Sequence, residues 1–513
     1  MIDAAFAAFF MVLDPTHLMF LCLGVFVGLA VGFLPGLGGI VGMALLLPVA
    51  FQLDPQTGIA MLIGVAAVIT TSDTFPSVLM GIPGSAGSQA TIIDGYAMAQ
   101  KGQAARALSA AFIASMFGGV IGALALTLSL PIARPLVLSF ATPELLMMSI
   151  LGLCMIGVLS GDAPLKGLLV AGLGLLVGTI GAAEVAPAYR YDMGFDYLFD
   201  GLPLVVVSLG LFALPEFVDL LARGGAIAKR GAALGGGWLE GARDIVRHWW
   251  LVLRHSLMGV GVGMVPGLGS AIVDWMNYGY LVQTAKDRGE LGRGDVRGVI
   301  APESANNAKE GGALIPTLLF GVPGSAGMAL LLSAFVVFGI QPGPRMLDTN
   351  LSLVFVIIWS LALANILGTI ACLVFIRPIA RLTTIPFSTM FPVIFLLVTV
   401  GAFQATRHVG DLIVLAAFGL LGWLMKRHGF PRAPLLIGFI LSPLVERNLW
   451  ITTQRYGLEW LERPGVITIG LLTVILVVVG SRRRKPIVHH EDFPETTETT
   501  EAPAEAGKER SHG

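Results

Sequence analysis

The residues best suited to chemistry in this chain occur twice. Pro76 to Gly87 reads PSVLMGIPGSAG and Pro316 to Gly327 reads PTLLFGVPGSAG, so both carry Gly-x-Pro-Gly-Ser-Ala-Gly without a substitution. A half-helix that begins after a Pro-Gly turn presents free N–H groups and the positive end of its dipole, which suits a carboxylate without any basic side chain. The carbonyls of unwound stretches such as Gly81 to Gly87 and Gly321 to Gly327 offer hard oxygen ligands to a cation such as sodium. Pro83, Gly84, Ser85, Pro323, Gly324 and Ser325 are therefore expected to contact substrate. A kink made only for helix packing is the plain alternative for one such motif, and duplication weighs against it.

Polar residues precede both turns: Thr70, Thr71, Ser72, Asp73 and Thr74 before the first, and Glu303, Ser304, Asn306, Asn307, Lys309 and Glu310 before the second. Adjacent amides supply both donors and acceptors, so Asn306 and Asn307 are expected at the substrate, with interhelical hydrogen bonding as the competing role. A second duplication pairs Gly32 to Gly39 (GFLPGLGG) with Gly263 to Ser270 (GMVPGLGS). Its breaks at Pro35, Gly36, Gly38, Pro266, Gly267 and Gly269, together with Asp73 and Thr74, are expected to serve ion coupling or the translocation path. Asp274 and Asn277 are weaker candidates, because the first copy has Met43 and Leu46 there, and Asp94 reads as a residue that caps or ends a segment.

These residues must be held in lipid. Of 513 residues 55% are hydrophobic and only 13% charged, about half the share of a soluble domain, and the mean hydropathy is +0.82. Apolar runs of membrane-crossing length recur at 107-131, 144-160, 164-183, 200-222, 350-376, 408-425 and 464-480. The predicted fold is an all-α polytopic membrane protein of about 10-12 transmembrane helices, some broken or re-entrant. Residues 58 to 93 are too few for three full crossings, so one crossing plus a broken element is expected, with the Pro-Gly turns inside the membrane. Gly24, Gly28, Gly32 and Gly36 form a stripe at spacing four that reads as helix packing.

The two motifs recur in the same order at offsets of 231 and 240 residues, which marks a duplicated unit, 17-222 and 251-446. Loop charges predict inverted copies. The loop 52–58 has no basic residue, whereas its counterpart carries Lys286, Arg288, Arg293 and Arg297. The next loop reverses the bias, with Lys101 and Arg106 in 94–106 but only Arg345 in 338–349. The basic connector 223-250 is expected to be cytoplasmic and to contain an interfacial helix, with Arg243, Arg247 and Arg254 on one face and Ile245, Trp249, Trp250 and Leu253 on another. A last helix over 464-480 leads to Arg482, Arg483, Arg484 and Lys485, which place the C-terminus in the cytoplasm, and the acidic tail 481-513 reads as disordered. Without a basic n-region in residues 1 to 17, the first span is expected to stay.

Several functions find no support in the sequence. A net charge of −1 provides no field for nucleic acid. Cys22, Cys154 and Cys372 are isolated, so neither a disulfide framework nor a thiolate metal site is indicated. No Gly-x-x-x-x-Gly-Lys-Ser/Thr loop or His-Glu-x-x-His motif occurs, so no cofactor is expected and energy must come from an ion gradient, Na+ or H+, or from elsewhere. No catalytic constellation assembles.

The tandem Pro-Gly-Leu-Gly-Gly and Gly-Ile-Pro-Gly-Ser-Ala-Gly, followed by IDGYAMAQKGQ from Ile93 and by Arg106, resembles the large membrane subunit of the tripartite tricarboxylate transporters. So does Pro302-Glu-Ser-Ala-Asn306-Asn307-Ala ahead of Gly311 to Pro316. The likeness covers roughly residues 15 to 480. It implies a multi-pass permease of the bacterial inner membrane, fed by a periplasmic solute-binding protein and assisted by a small membrane subunit. It also implies sodium- or proton-coupled uptake of citrate or another carboxylate. A channel-like or exporter pore for small anions is the alternative, and an intramembrane enzyme a third reading.

Overall fold

The computed structural model describes residues 1–34, 38–159, 164–183, 185–223, 235–266, 270–287, 289–375 and 387–482. Pro35, Gly36, Gly267, Gly269, Arg288, the connector segment 224–234 and the tail from 483 lie outside the described residues.

The chain is helical almost throughout. Apart from helices it forms one antiparallel bridge, Gly181–Ala182 with Tyr189–Arg190, among the described residues. After α1 (Ile2–Val12), the first copy runs through α2 (Pro15–Gly32), α3 (Gly38–Ala50), α4 (Pro55–Ser72), α5 (Thr74–Met80), α6 (Thr91–Gln100), α7 (Ala104–Leu138), α8 (Thr142–Leu159) and α9 (Pro164–Val177). After α10 (Leu204–Ser208) a π-helical turn, Leu209–Ala213, leads into α11 (Leu214–Arg223). The second copy follows α12 (Trp238–Arg247) and α13 (Trp249–Gly263) with α14 (Ser270–Thr284), α15 (Val296–Phe320), α16 (Ala326–Val337), α17 (Pro344–Asp348) and α18 (Leu351–Val374). Helices Phe387–Phe403, Val409–Arg427, Ala433–Tyr456 and Pro464–Arg482 complete the bundle.

Local sequence explains where the central helices begin and end. Asp14 and Asp54 accept hydrogen bonds from Thr16 N and Gln56 N at 3.0 and 3.1 Å, each just before a proline that opens α2 or α4. At the other end, α5 and α15 stop at Gly81 (φ 67°) and Gly321 (φ 67°), the left-handed conformation that favours glycine. Ile82 N and Val322 N then bond back to the carbonyls of Pro76 and Pro316.

Six of the described helices are long and apolar enough to cross a membrane: Pro15–Gly32, Pro55–Met80, Ala104–Leu138, Leu351–Val374, Val409–Arg427 and Ala433–Tyr456. Shorter apolar helices, among them Gly39–Ala50 and Ala326–Val337, supply broken elements. The multi-pass all-α architecture is thus as expected. The run expected over 200–222 starts at Leu204, after a loop and a short 3₁₀ turn.

Helices α4 and α15 form the buried centre. Their neighbours approach closely through glycine, because in lipid association depends on packing and hydrogen bonds. Gly24 and Gly28 of α2 face Met61 and Val65 of α4, and a Cβ on Gly28 would lie 2.9 Å from the Val65 carbonyl oxygen. In the second copy, Gly259 and Gly263 of α13 face Ala305 and Lys309 of α15. The small-residue stripe is a packing surface, as its spacing indicates.

Two readings are corrected. Asp94 neither caps nor ends a helix: it lies within α6 and is fully buried. Its Oδ1 accepts from the N–H groups of Gly292, Gly294 and Asp295 at 2.8 to 2.9 Å, and its Oδ2 accepts from the Tyr278 hydroxyl at 2.9 Å. Arg254 does not continue the basic face of Arg243 and Arg247, since α12 ends at Arg247 and Arg254 belongs to α13. Helix α12 is instead tied to α7 by Arg106, whose guanidinium makes two hydrogen bonds to Asp244 at 2.7 and 3.1 Å.

Candidate functional site

The break that follows α5 lies against a set of polar side chains buried in the centre of the bundle. Asp73, Thr74, Ser88, Thr91, Asp274, Glu303 and Asn306 are each fully buried. Burying such groups in an apolar medium is costly unless they find partners, so the pairing is informative. Glu303 of α15 accepts from Thr74 Oγ1 (2.9 Å), Thr91 Oγ1 (2.8 Å) and Ser115 Oγ (3.1 Å), joining α5, α6 and α7. Ser85 Oγ donates to Asp73 Oδ2 and accepts from Gly87 N, and Ser77 Oγ accepts from Gly84 N at 3.3 Å.

The two asparagines diverge. Asn306 Nδ2 donates to the Gly87 carbonyl at 2.9 Å, so this second-copy residue reaches the first-copy turn. Asn307 Nδ2 donates to Thr71 Oγ1 and Asn365 Oδ1, both at 2.8 Å, and more weakly to the Ala67 carbonyl at 3.3 Å. Interhelical hydrogen bonding, the competing role, thus describes part of what each does. Their Oδ1 atoms, like Asp73 Oδ1 and Asp274 Oδ1, are buried without a hydrogen-bond partner.

The second turn has the same backbone and different surroundings. Gly324 N donates to Thr317 Oγ1 at 3.3 Å, as Gly84 N does to Ser77. A Cβ on Gly84 would lie 2.7 Å from Asp73 Cα, and one on Gly324 would lie 3.0 Å from Ala313 Cα, so each glycine backs onto the helix before its turn. Ser325 Oγ caps α16 by accepting from Met328 N at 3.2 Å. No hydrogen bond joins Pro323, Gly324 or Ser325 to Asn306, Asn307 or Asp73 among the described residues. Sequence reasoning grouped these residues, whereas the structure places the asparagines at and beside the first turn.

The Pro-Gly-Leu-Gly segments lead into helices that cover the turns. From α14, Asp274 Oδ2 accepts from Ala90 N at 2.6 Å and Trp275 Nε1 donates to Gln89 at 3.0 Å, above the first turn. From α3, Met43 lies against Gly327 of the second turn. Of the residues expected to serve this path, Gly38 opens α3 and Pro266 follows α13. Lys309, at the second copy's break, pairs with Glu310 at 2.5 Å and donates to Ser270 Oγ at 2.8 Å. Two groups went unnoticed in the sequence: Asn365, and buried His255, whose Nδ1 lies 2.7 Å from Asn277 Oδ1. Neither lies near a motif, so no signal marked them.

The family model for the tripartite tricarboxylate transporter TctA family matches residues 18–437. An Agrobacterium vitis protein described as an uncharacterized 52.8 kDa protein in the TAR-I ttuC' 3' region is 32% identical over 482 residues, 92% of this chain and 95% of that relative. A second, described as an uncharacterized protein in the TAR-II ttuC' 3' region of the same organism, is 33% identical over 230 residues, 44% of this chain and 95% of its own length. No solved structure matches. The chain belongs to the tripartite tricarboxylate transporter TctA family.

Proposed function

We propose that this TctA-family permease takes up a carboxylate across the bacterial inner membrane, driven by a sodium or proton gradient. A periplasmic solute-binding protein delivers the substrate, a tricarboxylate such as citrate or a related di- or aromatic carboxylate, and a small membrane subunit assists. The observation that carries the reading is the pair of helix breaks with matching backbone, Gly81 to Gly87 and Gly321 to Gly327, set beside a buried polar cluster in a lipid-spanning bundle. Irregular backbone at membrane depth is tolerated where it lines a cavity or is buried in protein, and transporters use it to bind solute and ion.

In this reading the turns at Pro83, Gly84 and Ser85 and at Pro323, Gly324 and Ser325 bind substrate, with Asn306 and Asn307 between the copies. The Pro35 to Gly38 and Pro266 to Gly269 breaks, with Asp73 and Thr74, serve the path of the coupling ion. The copies are inverted repeats. In support, Asn307 donates to Ala67, the residue 240 positions earlier, the same offset that separates the two Gly-x-Pro-Gly-Ser-Ala-Gly motifs. Contact between equivalent positions is what a two-fold axis between the copies requires. Basic residues 482–485 favour a cytoplasmic C-terminus.

Uptake of labelled citrate and other carboxylates by vesicles holding this chain tests the proposal, with and without its cognate binding protein and small subunit. Saturable uptake that requires both partners is expected. Unsaturable flux from this chain alone would instead identify a channel.

A further inference from the structure

The two turns share a backbone but not a chemistry. Around the first, Asp73, Glu303, Asn306 and Asp274 gather from three separate parts of the chain. The residues at the equivalent positions around the second are Ala313, Ile63, Ala66 and Met43. Each of these four polar groups is thus replaced by an apolar one at the second turn, whereas Ser77 and Ser85 keep polar counterparts in Thr317 and Ser325.

The hydrogen bonding is unequal in the same sense. At the first turn donors are consumed: Gly84 N by Ser77, Gly87 N by Ser85 and Ala90 N by Asp274. Apart from the exposed Ala86 N–H, what remains is acceptors, namely Asp73 Oδ1, Asp274 Oδ1 and Asn306 Oδ1, all buried and unpartnered. The orientation of Asn306 is fixed, because its Nδ2 donates to the Gly87 carbonyl and a flipped amide would set oxygen against oxygen. No Lys, Arg or His forms an ion pair with Asp73, Asp274 or Glu303 among the described residues, since Lys309 turns to Glu310 and Ser270. Uncompensated carboxylates and a bare amide oxygen repel an anion and suit a hard monovalent cation. At the second turn the surplus is of donors: no hydrogen bond engages Ala326 N or Gly327 N among the described residues, at a half-exposed helix start.

We infer that the first turn binds the coupling ion and the second does not: a dehydrated sodium ion sits among Asp73 Oδ1, Asp274 Oδ1 and Asn306 Oδ1 beside the Ser85 to Ala90 segment, while the second turn receives the carboxylate. This rests on the carrier reading above but reassigns part of its site: the first turn, given there to the substrate, goes to the ion, and the second turn keeps the carboxylate. Asn306 becomes a cation ligand, and the ion compensates the charge of Asp73 and Asp274.

The test uses the full chain, purified in lipid nanodiscs without carboxylate. Sodium-22 binding is measured against a choline chloride background, alongside the melting temperature in sodium and in choline. The intact chain should bind sodium saturably and melt higher in sodium. Asp73→Asn and Asn306→Leu should each weaken sodium binding by about 10- to 100-fold, whereas Ser325→Ala should keep sodium affinity and raise the half-saturation concentration for carboxylate. If either cation-site variant fails to fold, Asp73→Glu and Asn306→Ser take its place and should shift sodium affinity in the same direction. Unchanged sodium binding in these variants would overturn the assigned site while leaving ion-coupled uptake intact. So would absence of sodium binding with uptake that collapses only with the proton gradient. Uptake that survives loss of both gradients would overturn the carrier reading itself.

Discussion

Ser85 and Ser325 occupy equivalent positions and each caps the helical turn that follows, but only Ser85 also donates to a carboxylate. Ser85 Oγ links Asp73 to Gly87 N, and Ser325 Oγ caps α16. If both turns bind solute or ion, losing a hydrogen bond to a charged group costs about 1.5 to 3 kcal/mol, a roughly 10- to 150-fold weakening. Ser85→Ala and Ser325→Ala should therefore raise half-saturation concentrations at normal membrane abundance, read by uptake and immunoblot together. Two fully active mutants would remove the turns from the site. The neighbouring glycines should behave otherwise. A side chain on Gly84 meets the Asp73 backbone, and one on Gly324 meets Ala313, both parts of buried helices that cannot yield cheaply. Gly84→Val and Gly324→Val should lower the amount of folded protein, measured by fluorescence-detected size exclusion; normal amounts would show that the turns have room the packing denies.

At the scale of elements, the α14–α15 loop is held by one carboxylate. Asp94 collects three N–H groups from Gly292, Gly294 and Asp295 and the Tyr278 hydroxyl, and both Gly292 and Gly294 adopt positive φ to present them. Close by, Asp295 is half-buried yet held below the usual carboxylate range by its hydrogen bonds and ion pair with Arg297, at 2.6 Å. Asp94→Ala leaves the buried Tyr278 hydroxyl and three partly exposed N–H groups without their acceptor, so it should destabilise the protein by about 1 to 3 kcal/mol and raise amide exchange specifically at residues 290–297. Exchange unchanged there would mean that the loop is held by other contacts.

The spans at 107-131, 350-376 and 408-425, the helix breaks at Gly81 and Gly321 and the packing role of Gly24 and Gly28 were readable in the sequence, because each rests on local composition or a spacing of a few residues, whereas 144-160 and 164-183 fall on shorter helices and 200-222 is interrupted. Asp94 was misread because its partners lie 184 to 201 residues away. Asn365 and the different fates of Asn306 and Asn307 were hidden for the same reason. Adjacent residues on a helix point about 100° apart, so one faces the first turn while the other faces α4 and α18.

At the scale of the whole molecule, contacts sort the loops into two groups. Lys101 pairs with Glu290 at 3.3 Å and Arg106 with Asp244, bringing together the loops at 94–106, 235–248 and 285–297. Phe51 packs edge-on against Phe338 with centroids 5.6 Å apart, bringing together 51–58 and 338–343. The first group is rich in Lys and Arg and the second is not, and by the positive-inside rule this is the basis for proposing that the first faces the cytoplasm. In a background with Cys22, Cys154 and Cys372 replaced, Gln52→Cys should react with an impermeant maleimide from the periplasm, and Lys286→Cys only after the membrane is opened. Labelling of both from one side would contradict the inverted arrangement.

The energy source reaches furthest into the whole: the reading proposed above makes an ion gradient the driver, so transport should stop when that gradient does. The decisive measurement is accumulation of labelled carboxylate in vesicles containing this chain and its partners, with ATP held constant while the sodium and proton gradients are collapsed separately and then together. Accumulation should be abolished when the coupling gradient is lost and restored when it is imposed again in the absence of ATP. Accumulation that persists with both gradients collapsed would contradict gradient-driven transport by this permease.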